Sequence, residues 1–373
     1  MVKNVSSATV GSRRLFNGGI WQTVPSVTIL FAAAALAAPG AADALTIKPI
    51  FDSSITSRSN AATIEAAFNS VVAQFDHGLS SPATVNIQVS WGKVDGSGIP
   101  SGVIGASRDN LYDGLTYSQI NRYLTSSANL NPLDTAFAAD VKTLPTTAPS
   151  GVNSYVLPSS QAKALGLIAG NQTGYDGYVG FSSAVAFDYS ATTAIAGAYD
   201  FYAVAAHELD EVLGRITGLE DSTPSYRSVL DLYRYAAPGT LSFAYTSAAY
   251  VSFNRGWTNL GAYNVAGAGD RSDWKSGLTD AQLAYTPTGV TEPIGSGDWK
   301  ILDALGWNQA KSVYFNTTYT SSVQGSIGYT LGVPEPATWT IMLVGIAFGG
   351  GGMRRRRAQP SSPDQSIFGA TSN

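Results

Sequence analysis

Cysteine is absent from the 373 residues, histidine occurs twice, and only 13% of the chain is charged, about half the usual share. Without cysteine there can be no disulfide, no thiolate metal site and no thiol nucleophile. Two histidines exclude any site that needs three imidazoles. The scarcity of charge, with 44% hydrophobic residues, excludes an intrinsically disordered chain. A net charge of −4 leaves no basic footprint for nucleic acid. The G-x-S-x-G elbow of the serine hydrolases is also missing.

The two ends read as targeting segments. Lys3, Arg13 and Arg14 precede the apolar run VTILFAAAALAA, and Ala42-Asp43-Ala44 fits the small-x-small rule for cleavage. Residues 1–44 are therefore expected to be an export signal, with the mature chain starting near Leu45. Ser12-Arg13-Arg14-Leu15-Phe16 also resembles a twin-arginine signal, with the general secretory route the favoured reading. The apolar run is short of the ~20 residues that a spanning helix needs. Near the other end, Val333-Pro334-Glu335-Pro336-Ala337 leads into TWTIMLVGIAFGGGGM and then Arg354 to Arg357. A stiff Pro-x-Pro, a short greasy helix and four cations form a stop-transfer device under the positive-inside rule. Residues 333–357 resemble the PEP-CTERM sorting signal, which exosortase-type membrane proteases process in Gram-negative bacteria that make exopolysaccharide. The resemblance implies export across the inner membrane, a transient membrane anchor, and a final place at the cell surface or in the extracellular matrix. Residues 311–332, rich in Ser, Thr, Tyr and Gly, read as a tether, and the polar residues 358–373 as a disordered tail. Both end segments carry more base than acid, so the stretch between them is more acidic than the whole chain.

That middle stretch, residues 45–310, reads as one α+β domain. Ile64, Phe68, Val71, Val72 and Phe75 share one face of a helix over 60–75, and Val85 to Trp91 alternates as a half-buried strand. Thr116 with Gln119 forms a capping box before a second helix, and Ser160 opens a third. Tyr178 to Tyr189 is strand-like. A helix follows over Phe201 to Leu213, with Asp200 as N-cap and Gly214 placed for a left-handed C-terminal cap. Beyond it LDLYRY (230–235) reads as β, YVSF-NRG-WTNLGAY as a hairpin turning at Asn254-Arg255-Gly256, and Gly297 to Trp307 as a closing helix.

The chemistry lies in His207-Glu208-Leu209-Asp210-Glu211. On a helix Glu211 stands about 40° round from His207, one turn along, with Glu208 beside them. An imidazole and a carboxylate so placed can share one ion, and Glu208 can act as general base. This is the geometry of the zinc-protease motif H-E-x-x-H with glutamate in place of the second histidine. Carboxylate oxygen is a legitimate zinc ligand. As an anion it donates more charge than imidazole, so the ion's pull on its water weakens, and selectivity against harder metals falls. The residues before the motif are small and apolar, which places three acids in a setting where unpaired carboxylates are costly without a cation.

AAHELDEVLGRI, LDLYRY, SFNRGWTNLGAYN, DRSDW and ILDALGW, in that order, resemble a family of PEP-CTERM-sorted predicted metalloproteases. In that family the helix commonly reads HE-x-x-E. The resemblance implies a zincin-like fold, zinc or another divalent metal, His207 and Glu211 as ligands, Glu208 as catalytic base, and protein or peptide substrates. The third ligand stays open. The metzincin pattern has its Gly214, but Thr217 stands at its next ligand position. A gluzincin-like arrangement takes an acid well downstream. Asp231 fits that spacing best, with Glu220 and Asp221 as rivals. Asp303 is read as a packing or capping residue, Asp273-Trp274 as a surface turn, and His77 as a helix-terminal residue facing the dipole. Two other functions compete with a metallopeptidase: a non-catalytic surface or matrix protein on a zincin scaffold, and a glycosidase using Glu208 and Glu211 as paired acids.

Overall fold

A computed structural model describes residues 45–309, apart from 153, 220–225, 266, 268 and 276. The export signal, tether, sorting signal and tail, and the rival ligands Glu220 and Asp221, lie outside the described residues. Among the described residues no helix is long and apolar enough to cross a membrane.

The described chain is α+β. Strand β1 (Thr46–Phe51) leads through helix α1 (Ala61–Gly78) into β2 (Thr84–Trp91), which lies parallel to β1. The crossover helix buries Ile64, Phe68, Val71, Val72 and Phe75, the stripe that its sequence predicts. Along β2 Val85, Ile87 and Val89 face inward and Thr84, Asn86 and Gln88 are half-exposed, the period-two burial of a pleated strand. Strand β3 (Gly105–Asp109) precedes helices α2 (Tyr117–Leu130) and α3 (Thr135–Thr143). The Thr116–Gln119 capping box is formed. Strand β4 (Gly177–Phe181) completes a sheet in the order β1-β2-β4-β3. Three strands are parallel, and β3 runs antiparallel to β4 at the edge, with Gly105 opposite Phe181 and Asp109 opposite Gly177.

Helix α4 (Phe201–Val212) packs against β3 and β4. Phe201 packs against Phe181 with ring centroids 4.5 Å apart, and Phe181 meets Phe68 of α1 at 6.1 Å, so one aromatic chain links both helices to the sheet. Burying rings of this size stabilises the fold by about 1.5–3 kcal/mol each. Both ends of α4 are closed as predicted. The Asp200 carboxylate accepts the Tyr202 amide at 2.9 Å. At the other end Gly214 has φ +117°, and the amides of Gly214 and Arg215 return to the carbonyls of Glu211 and Asp210, the paired bonds of a Schellman motif.

The later chain is less regular than its sequence suggests. The strand expected over Tyr178–Tyr189 stops at Phe181, where the Ser182 hydroxyl accepts the Ala184 amide and turns the chain. LDLYRY begins as a 3-10 turn over Leu230–Tyr233, and only Arg234–Ala237 is strand. The hairpin pairs Tyr250–Val251 with Gly261–Ala262, and Arg255 and Gly256 take positive φ at its turn. Helix α5 (Ser296–Ala304) closes the described fold.

Candidate metal centre

Helix α4 carries His207, Glu208 and Glu211 into a cleft of about 600 Å³ whose wall includes all of β3. The His207 Nδ1 lies 3.0 Å from the Ala281 carbonyl oxygen. A carbonyl only accepts, so Nδ1 donates to it and Nε2 is the nitrogen left facing the cleft, where an ion would take its lone pair in place of a proton. That Nε2 is 3.6 Å from Glu211 Oε1 and 3.6 Å from Asp273 Oδ1. Both separations exceed a hydrogen bond but suit ligands sharing one ion, since donors at zinc bond lengths stand about 3.3 Å apart around a tetrahedron. The three donor atoms lie within 4.8 Å of one another. Ser107 of β3 donates to Glu211 Oε2 at 2.7 Å, which fixes the carboxylate with Oε1 toward the imidazole. One imidazole and two carboxylates, with a cleft on the open side, form a donor set that fits a divalent transition metal.

Electrostatics also favours a cation here. Asp109, Glu208, Glu211, Asp270 and Asp273 all line the cleft. Burial pushes the Glu208 carboxyl well above its ordinary range and neighbouring Glu211 adds to this, with His207 opposing. Burial also raises Asp109, again with help from Glu211. For Glu211, burial is outweighed by His207 and the hydroxyl of Ser107, which hold it below the usual value. Burial lowers His207, but Asp273, Glu211 and Glu208 together lift it well above an ordinary imidazole. The charges that retain a proton on His207 would equally retain a dication.

Glu208 stands beside the convergent group because Gly105 leaves it room. A Cβ at Gly105 would lie 2.3 Å from Glu208 Oε1 and 2.7 Å from Val204. Edge strand and helix therefore approach closely at the expected catalytic base.

The structure brings Asp273, not Asp231, to His207 and Glu211. Asp231 is occupied elsewhere: Oδ1 accepts the Thr217 hydroxyl, and Oδ2 accepts the amides of Gly218 and Ser228. It shapes the loop after α4. The surface turn expected at Asp273-Trp274 is instead buried, both residues being almost inaccessible. The one signal for it was the bulky Trp274 beside the acid in DRSDW. Ser107 and Asp109 carried no motif. Asp303 is buried in α5 and shares a hydrogen bond with Asp134, a packing role. His77 is exposed in the last turn of α1, with Nδ1 2.6 Å from the Ala73 carbonyl. Compared with protein-family models, with curated proteins and with solved structures, the chain matches none.

Proposed function

We propose that the protein is a metal-dependent peptidase, exported and sorted to the cell surface or matrix. The observation that carries the reading is the convergence of His207 Nε2, Glu211 Oε1 and Asp273 Oδ1 beside Glu208 in one cleft. Zinc suits the nitrogen and oxygen donors. Bound there, the ion would supply Lewis acidity to the reacting carbonyl and its water nucleophile. Glu208 accepts a proton from water as the carbonyl is attacked, then returns it to the departing amine. The outer edge of β3 has no partner strand among the described residues and lines the cleft. An extended peptide can add there as a further strand, held by main-chain hydrogen bonds. The resemblance of the end segments to export and PEP-CTERM signals supports the location, with exosortase-type machinery and an exopolysaccharide matrix as partners.

The glycosidase alternative lacks its geometry. Glu208 and Glu211 lie within one turn of the same helix on the same wall of the cleft, whereas acids flanking a sugar face each other across it, at least about 5 Å apart. The non-catalytic scaffold remains the rival, favoured by the missing second imidazole. Metal analysis of the mature protein is expected to find about one equivalent, lost in His207→Ala. Glu208→Gln is expected to keep the metal and lower cleavage of a peptide library by about 10²–10⁴-fold. Retained cleavage would overturn the base assignment. A metal-loaded wild type that cleaves nothing would establish the scaffold reading.

A further inference from the structure

Asp273 is held by no regular element. Its segment joins the rest of the fold through isolated bridges, Tyr263 to Trp274 and Trp274 to Leu283. The Asp273 carbonyl accepts the Asn264 amide at 2.8 Å, and a stack of four buried side chains orients the segment beyond it. The Arg215 guanidinium lies 4.4 Å from the Trp274 ring centre, and Trp274 stacks on Tyr263 at 5.8 Å and 23°. Arg234 closes the far side, 4.5 Å from the Tyr263 ring. Arg234 Nη1 also donates to the Arg271 carbonyl at 2.7 Å, two residues before Asp273.

The indole is pinned in its plane as well. Trp274 Nε1 donates to Asp298 Oδ1 at 2.8 Å, and the same oxygen receives Arg215 Nη1. Glycines at 261 and 297 admit the ring, since Cβ atoms there would come within 2.5 and 3.2 Å of it. Arg215 is referenced in turn to the ligand-bearing helix, because its amide bonds the Asp210 carbonyl and its Nη1 lies 3.7 Å from Asp210 Oδ2. Two wholly buried arginines are a costly way to gain stability, since apolar residues of similar volume often do as well. They are a direct way to fix one segment against another, because a planar guanidinium stacks and forks in one orientation.

We infer that Arg215, acting through Trp274, is the positioning residue that sets Asp273 opposite His207 and so governs the affinity of the ion site. The inference rests on the metal-site reading proposed above. Outer-shell partners of this kind typically change metal affinity by 10–100-fold.

The test is a zinc titration of the full mature chain against a chelating dye. Arg215→Met and Asp273→Ala are each expected to weaken binding by about 10–100-fold. The double variant is expected to bind no more weakly than Asp273→Ala alone, because both changes remove the same contact. The Arg215→Met loss is expected to add in full to that of Ser107→Ala, which acts on Glu211 instead. A general loosening of the fold would not single out Asp273 in this way. Wild-type affinity in Arg215→Met, or full additivity with Asp273→Ala, overturns the inference. Should Arg215→Met fail to fold, Trp274→Phe keeps an aromatic layer, drops the bond to Asp298, and serves in the same cycle. A wild type that binds no zinc, indistinguishable from His207→Ala, would overturn the metal site itself, a different result from a wild type and Arg215→Met that bind equally.

Discussion

Asp231 and Asp273 are almost equally buried, at 1% and 3% exposure, and differ in what their oxygens face. Three donors from the loop after α4 converge on Asp231. Its substitution by alanine strands two buried amides and a hydroxyl, at about 1–3 kcal/mol for each group left unsatisfied. Asp273 Oδ1 faces the His207 imidazole and lies beside the Glu211 carboxylate. Removing it relieves crowding among acids but takes away a donor. Asp231→Ala is thus expected to lower stability by at least about 3 kcal/mol in urea unfolding and to leave metal content unchanged. Asp273→Ala should do the reverse, with metal affinity lowered and the unfolding midpoint of the metal-free protein nearly unmoved. Metal lost from Asp231→Ala at full stability would restore Asp231 as the ligand. Sequence spacing favoured Asp231 because spacing counts residues along one chain direction. The residue that meets His207 arrives from a segment with no period to read.

At the scale of elements, the site depends on how closely edge strand β3 lies against α4. Gly105 sits at the contact, and any side chain there must displace the Glu208 carboxylate or Val204. Gly105→Val is expected to leave the His207–Glu211–Asp273 group and its metal in place. Because a catalytic group moved by about 1 Å can cost 10²-fold, cleavage should fall at least that far. Unchanged turnover would show that Glu208 is free to swing, and that the base is held by something else. The elements themselves were largely legible. The stripe on α1, the alternation of β2, the Thr116–Gln119 box and both caps of α4 are local facts, each written within one or two turns of chain. Regions where side chains divert the backbone were not. Ser182 ends β4 early, and the exchange between Ser228 and Asp231 turns LDLYRY into a 3-10 turn. The approach of β3 to α4, and the service of Ser107 to Glu211, are tertiary and leave no periodic trace.

Across the whole molecule, a chain with only 13% charged residues buries an unusual number of acids, and this sets its response to pH. Burial, aided by Asp134 and Asp140, pushes the Asp303 carboxyl to about 9, and burial with Asp298 does the same to Asp280, also about 9. In the unfolded chain both titrate near 3.8. Between those values the folded state binds more protons than the unfolded one, so stability falls as pH rises. The contribution is complete below about pH 4 and is lost as pH climbs through about 9. The described protein should thus be more stable in mild acid than at pH 8, the opposite of a fold held by salt-bridged carboxylates. Asp303→Asn separates this from other causes. The amide can still donate to Asp134, but it cannot ionise, so the variant keeps the contact without the proton requirement. Its melting temperature is expected to exceed the wild type's by several degrees at pH 8.5, at about 2–4 °C per kcal/mol for a domain of this size. The two should converge only below the unfolded value of 3.8, where the carboxyl is protonated in the folded and unfolded states alike. Parallel pH profiles would mean that the Asp303 carboxyl does not take up a proton on folding, and would overturn the assignment.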